Sequence, residues 1–421
     1  MDKQGKKALV PRLRFPEFRN AEGWDARELK NACEVNPPNS GIPETFVYID
    51  LESVEAGELK LRKVINRTDA PSRAQRVLRY GDVIFQIVRP YQRNNLLFKY
   101  KEDIPFVAST GYAQLRAIDS VDFLFQAVHA DDFVERVIAK CTGSSYPAIN
   151  SSDLADIYIA LPSKAEQQTI ADCLTSLDEV IAAENQKLET LKTYKKGLMQ
   201  QLFPREGETV PRLRFPEFRE TGEWCEKPLS KVCNVLQGYG FPEVLQGKSE
   251  GKYPFCKVSD ISRAVAEKGG VLDEATNYVG DDELLKLKAK PVPKGATVFA
   301  KIGEALRLNR RAYVQKACLI DNNATGLKAI DGIADDYFVY LLSQLIDLNR
   351  HCGGAVPSVN KTTLEEIEVV VPGLDEQKRI AENLSSLDDL ITTQSQKIDA
   401  LKNHKKGLMQ QLFPVLDEVP A

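Results

Sequence analysis

The sequence predicts a mixed α/β chain built as a pseudo-twofold internal repeat, with two homologous α/β domains separated by two long helices. Three observations predict this. The segment VPRLRFPEFR stands at Val10–Arg19 and again, unchanged, at Val210–Arg219, and KKGLMQQLFP stands at both Lys195–Pro204 and Lys405–Pro414. Short strand signals recur in the same order in both halves. Two apolar stripes of heptad spacing lie at a constant offset of 210 residues. A period near 200 residues is far too long for a solenoid unit, so each copy is a domain-sized module.

Residues 1–35 form the first arm, in which two prolines and spaced apolar residues suit an extended segment laid on a surface, followed by Trp24. Residues 36–162 read as the first α/β domain. Phe46–Val54 is a strand, Gly81–Phe85 a turn glycine and strand, and Gln114–Ile118 a further strand. A turn from Gly143 to Pro147 then leads to an alternating strand from Ile157 that ends at Pro162. In the second copy, 205–235 is connector and arm with Trp224, and 236–372 is the second domain. The equivalents there are Phe255–Ile261, Gly295–Phe299, Leu327–Ile330 and a turn from Gly353 to Pro357 before a strand ending at Pro372. Offsets drift from 214 to 210 while the order persists, so the domains differ by surface insertions.

Residues 163–204 and 373–414 read as the long helices. Ile170, Leu174, Leu177, Ile181, Leu188, Leu191, Leu198 and Leu202 follow a 4-3 spacing, and Ile380 to Leu412 repeat it. Each stripe is broken at two places, Glu184 and Lys195 or Gln394 and Lys405. Over Leu161–Pro204 and Val371–Pro414, 24 of 44 residues are identical, more than in the domains. Two matched stripes of ~33 residues, each ~50 Å long, are expected to pair, and the connectivity requires an antiparallel coiled coil. Residues 415–421 are a tail whose missing continuation is the arm at Val10, so the two ends are expected to lie close together.

No stretch approaches the ~20 apolar residues that span a bilayer, and no secretory apolar region opens the chain. Eight cysteines without a C-x-x-C and three histidines point to reduced thiols in a cytoplasm, with no metal and no cofactor expected. Cys33 and Cys233 are repeat equivalents expected to be buried. The net charge of −4 conceals segregation. From Lys60 to Lys101 the local charge is +9, and from Lys286 to Lys316 it is +8, which leaves −21 for the remainder. One basic stretch per copy, in register, is what phosphate contact requires.

The duplicated domain, the G-(S/G)-x-x-P turn before each strand ending at Pro162 or Pro372, the E-Q helix starts at Glu166-Gln167 and Glu376-Gln377, and the GLMQQLF helix ends together resemble the specificity (S) subunits of type I restriction-modification enzymes. The resemblance covers essentially the whole chain. It implies two target recognition domains, each reading one half of a bipartite site in double-stranded DNA. It also implies a coiled coil that sets the spacer and docks two methyltransferase (M) subunits. Restriction-translocase (R) subunits would join the larger assembly, and this chain itself would not be catalytic.

Arg93-x-Asn95 matches Arg307-x-Asn309 at an offset of 214. Arg can pair bidentately with guanine and Asn with adenine, so these are candidate base-reading loops. Arg89, Gln92, Lys301, Arg310 and Arg311 are candidates for further phosphate or base contacts, and Arg62, Lys63, Arg67, Arg73 and Arg76 for phosphate. Lys195, Lys196, Gln200 and Gln201, with Lys405, Lys406, Gln410 and Gln411, are the candidate partner seats, since identical surfaces receive identical partners. Asn36-Pro37-Pro38-Asn39 lacks the aromatic fourth residue of an amino-methyltransferase motif. Gly247-Lys248-Ser249 lacks the glycine spacing of a phosphate loop. The rival readings are a non-enzymatic scaffold whose domains bind peptides or sugars, and a small DNA-modifying enzyme with a hidden site. Salt-sensitive duplex binding separates the first from a DNA reader, and a methyl-transfer assay disposes of the second.

Overall fold

The structure is a computed structural model that describes residues 9–143, 145–354 and 356–416. It divides into two units, one of residues 1–183 with 398–421, the other of residues 184–397. Each unit therefore joins one α/β domain to the first half of its own long helix and the second half of the other copy's.

In the first unit a four-stranded sheet runs in the order Cys33–Val35, Tyr112–Ala117, Asp82–Gln86, Leu96–Leu97. A second sheet runs in the order Lys63–Asn66, Thr45–Ile49, Phe106–Ser109, Ala74–Val77. A short antiparallel pair, Asp25–Glu28 with Tyr158–Leu161, ties the segment after the arm to the strand before the helix. The second unit repeats the last pair as Cys225–Pro228 with Glu368–Val371. Its main sheet has five strands, Cys233–Gln237, Ala324–Ala329, Thr297–Ala300, Ala312–Val314 and Val271–Leu272. Its smaller sheet has three, Asn277–Val279, Tyr253–Cys256 and Leu319–Ile320. The shared register is residue for residue: Leu115 pairs with Val35 and Val83, and Leu327 pairs with Val235 and Thr297.

Two strand assignments need correction. Thr45–Ile49 stops short of Val54 because Asp50 turns the chain, accepting a 2.7 Å bond from the Ser53 hydroxyl and bonds from local amides. Val54–Glu55 then opens a separate small hairpin with Glu58–Leu59. In the second copy only Tyr253–Cys256 is a strand, and Val258–Glu267 is a helix. The buried Asp260 carboxylate accepts from the Lys257 amide at 2.9 Å and stops the strand, while Ile261 and Ala264 bury one helical face.

The arms are anchored, and not simply laid on a surface. Each contains one turn of 3-10 helix, Pro16–Phe18 or Pro216–Phe218, and each sends an arginine inward. Arg14 holds Glu166 through two 2.7 Å bonds, with side-chain exposures of 7% and 1%. Arg214 holds Glu376 in the same way. Trp24 and Trp224 donate their indole N–H to the same two carboxylates, at 3.2 and 3.4 Å. The glutamine of each E-Q start bonds the carbonyl of Pro162 or Pro372, bracing the strand-to-helix corner.

The helices span Lys164–Leu202 and Leu374–Leu412. Polar bonds occupy the breaks in the apolar stripe. In the second unit Gln394 donates to Glu184 and Lys195 holds both oxygens of Asp388 at 2.6 Å, so the paired segments run in opposite directions. In the first unit Lys405 holds Asp178 equivalently, at 2.6 and 2.7 Å. The arm rests on the helix end in each unit, Leu13 N–H to the Gln411 carbonyl at 3.0 Å and Leu213 N–H to the Gln201 carbonyl at 2.9 Å. The expected approach of the chain ends concerns residues 1–8 and 417–421, which lie outside the described residues. Among the described residues no helix is long and apolar enough to cross a membrane.

Candidate nucleic-acid interface

The basic stretch of the first copy leaves its sheet through Asp82–Gln86 and turns at Pro90–Gln92. Arg89 and Arg93 flank that turn in the left-handed region, both at φ 55°, and Asn309 in the second copy sits at φ 52°. For residues with a Cβ this costs on the order of 1 kcal/mol each, and such strain gathers at functional loops. The Arg89 guanidinium lies 4.2 Å from the centre of the Tyr146 ring, with its Nε buried and unpartnered among the described residues. Gln92 is exposed and accepts from the Gln86 side chain at 2.9 Å.

The asparagines do not do what their spacing suggested. Asn95 is 1% exposed; its Oδ1 accepts from the Gln86 amide at 2.8 Å and its Nδ2 faces the His129 Nε2 at 3.2 Å. Since Nδ2 donates, His129 Nε2 accepts and its Nδ1–H donates to the Phe125 carbonyl, which requires a neutral ring. Burial, aided by the charges of Lys405 and Arg93, pushes the His129 pKa down to about 4. Asn309 likewise bonds the Ile346 carbonyl and accepts from Leu348 and Arg311. Arg311 is 4% exposed, its guanidinium 4.4 Å from the Phe299 ring centre, and burial lowers its pKa to about 10. Asn95 and Arg311 are buried and hold their loops in shape, and the half-buried Asn309 spends its amide on the same task.

What remains outward differs between copies. Arg93 is half-exposed and bonded to Asp131 at 2.7 Å and to the His129 carbonyl, so it meets a ligand only by exchanging that carboxylate. Arg307 is exposed, with Glu304 at 3.6 Å, Arg310 is half-exposed, and Lys301 bonds Gln237 at 3.2 Å. Arg62 pairs with Glu102 and Arg67 with Glu44, leaving Lys63, Arg73 and Arg79 exposed with no ion pair among the described residues. Arg76 is half-buried, which lowers its pKa. Lys101 lies over Tyr80, itself 55% exposed, so a cation rests on an exposed ring here. In the second copy Lys286, Lys288, Lys290 and Lys294 are exposed, and the first two close the helix Asp281–Leu287, where its dipole favours cations.

The helix ends also need a partial correction. Lys195 and Lys405 are held inside the polar breaks, at 14% and 18% side-chain exposure, and are not outer surface. Lys196, Gln200, Gln201, Lys406, Gln410 and Gln411 are exposed, and Gln410 reaches Asp131 at 3.0 Å. That bond, with Arg93, lowers the Asp131 pKa. Local spacing could not reveal His129 and Asp131, since they meet Asn95 and Arg93 across 34 and 38 residues.

The model of the type I restriction modification DNA specificity domain matches residues 91–193 and 221–403, well over half of the chain. A chain of Methanocaldococcus jannaschii assigned as the MjaX type I restriction enzyme specificity subunit is 26% identical over 420 residues, covering 93% of each. The MjaIX specificity subunit of the same organism is 21% identical over 412 residues, covering 92% of each. A crystal structure of the type I restriction-modification S subunit from M. genitalium aligns with a TM-score of 0.58 at 17% identity, over 98% of this chain and 100% of that one. A chain from a study of complex assembly and conformational transition in the type I R-M system aligns with a TM-score of 0.56 at 22% identity, over 97% and 99%. The duplicated α/β domains, the basic stretch in each and the match to this domain model over both copies agree, and the chain belongs to the DNA specificity subunits of type I restriction-modification systems.

Proposed function

We propose that domains 36–162 and 236–372 each read one half of a bipartite DNA site, and that the long helices form an antiparallel coiled coil setting the distance between the halves. Two methyltransferase subunits dock on the repeated outer surfaces, restriction-translocase subunits join the larger assembly, and the chain itself performs no chemistry. One observation carries this: the ion pairs repeated between copies lie in the arms and helices, while the charged side chains of the basic loops differ. Arg14–Glu166 matches Arg214–Glu376, and Lys405–Asp178 matches Lys195–Asp388. A repeated frame suits identical partners, and unlike loops suit two different half-sites. Helices of 39 residues rise ~58 Å, which accommodates one to one-and-a-half turns of duplex between readers.

The test is the methylation pattern of a host that carries this chain with its cognate methyltransferase. A two-part motif with a gap of fixed length is expected. Arg89→Ala should relax or abolish one part and leave the other unchanged. A continuous motif, or methylation unaffected by deleting this chain, would overturn the reading.

A further inference from the structure

We propose that Tyr146 and Val356 are base-step wedges, apolar side chains that press between or against neighbouring base pairs and deform the duplex at each half-site. The proposal rests on the DNA-reading function above and adds to it a specificity-determining contact that no hydrogen-bonding pattern predicts. Both residues stand immediately before a proline, and both are exposed, at 66% and 59%. Scattered surface apolar residues are ordinary in any protein. These two occupy equivalent places in loops pinned by the same bonds. In the first copy Arg89 N–H donates to the Pro147 carbonyl at 2.7 Å and Ile149 N–H to the Ile87 carbonyl at 3.0 Å. In the second, Gly303 N–H donates to the Pro357 carbonyl at 2.8 Å and Val359 N–H to the Lys301 carbonyl at 3.0 Å.

A glycine at positive φ stands in each tip, one position apart in the repeat. Gly143 has φ 91° and Gly354 φ 87°, and a Cβ on Gly143 would stand 3.1 Å from the Tyr146 carbonyl oxygen. Between the matched Gly143 and Gly353 and the matched Pro147 and Pro357 the two tips have diverged, yet an exposed apolar side chain remains at both. A cation accompanies each: Arg89 stacks on the Tyr146 ring, and Arg307 lines a hollow of about 320 Å³ with Gly354 and Pro357. Apolar side chains inserted at a base step unstack it, and nearby cations hold phosphates. The unlike side chains give unlike contacts. Tyr146 offers an aromatic face for stacking, and Val356 only an aliphatic contact.

The test uses the chain in complex with its cognate methyltransferase, and duplexes carrying the site found by methylome sequencing. 2-Aminopurine replaces each unmethylated purine in turn, so that base extrusion by the methyltransferase does not contribute. Wild type should show enhanced fluorescence at one step in each half-site. Tyr146→Ala should remove it in the first half only and weaken binding about 5- to 100-fold, with an unchanged salt slope because no phosphate contact is lost. Tyr146→Trp should keep both properties, and Val356→Ala should act on the second half alone. Full binding by Tyr146→Ala with no fluorescence change would overturn the wedge while leaving the DNA-reading function standing. Failure of the wild-type complex to bind duplex in a salt-dependent way would instead overturn that function, and the wedge with it.

Discussion

Glu166→Ala tests the anchored arm directly. The Arg14 guanidinium, 7% exposed, makes two 2.7 Å bonds to Glu166, and its partner also accepts from Trp24. Removing the carboxylate leaves a buried cation without its counter-charge and an indole N–H without its acceptor. Breaking a buried pair from one side costs about 3–5 kcal/mol. With a urea dependence of about 2–3 kcal/mol per molar for a unit of this size, the midpoint should fall by about 1–2.5 M. The chain has two tryptophans, Trp24 in one unit and Trp224 in the other, so each unit carries its own reporter. In a Trp224→Phe background the Trp24 transition should show the shift. In a Trp24→Phe background the Trp224 transition should not move. Replacing both Arg14 and Glu166 by Met should cost less than Glu166→Ala, because no charge is stranded. A midpoint loss under about 0.3 M would mean the pair contributes no more than an exposed one, and the clamp would lose its energetic role.

The neutral His129 makes the first unit sensitive to acid. Its folded pKa, about 4, lies below the ordinary value of 6.5, so below pH 6.5 the unfolded chain takes up a proton that the folded chain refuses. Stability should therefore fall from pH 6.5 toward pH 4, by up to about 3 kcal/mol, and His129→Asn should flatten that range; a wild-type profile that is already flat there would sink the argument. In the helix seam, Lys405→Met and Lys195→Met should each cost about 1–2 kcal/mol, discounted for partial exposure. Lys405→Met should act on the Trp24 transition and Lys195→Met on that of Trp224. Strongly unequal losses would contradict the equivalence of the two pairs.

The frame was legible in the sequence because its signals are local. Heptad spacing, duplicated segments and the E-Q pairs are patterns readable over a few residues, even where the partner lies far along the chain, as Arg14 does from Glu166. The strand at Phe255 ran too far on paper because nothing local announced that the Asp260 side chain would turn back on Lys257. The two Arg-x-Asn pairs were readable by position, but the work of their asparagines was not. Asn95 and Asn309 have the chemistry of adenine readers, and only tertiary partners, His129 and the Ile346 carbonyl, show that this chemistry is already in use. Identity between copies misled in the same way. KKGLMQQLFP repeats partly because both helix ends bury the same Leu and Phe, Leu202 with Phe203 and Leu412 with Phe413.

Those two phenylalanines carry a consequence of their own. Trp24 packs on Phe413 at 6.1 Å, and Trp224 on Phe203 at 5.9 Å, so each copy's core is closed by a residue that the other copy encodes. The repeat along the chain is thus not the repeat that folds. A fragment cut between the copies would carry a complete set of strands and still lack the lid of its own core. Such a fragment has one remedy, which is to meet a second half and exchange helix ends with it. The chain is in this sense a domain-swapped pair whose two members share one backbone, and its stability is a property of the exchange.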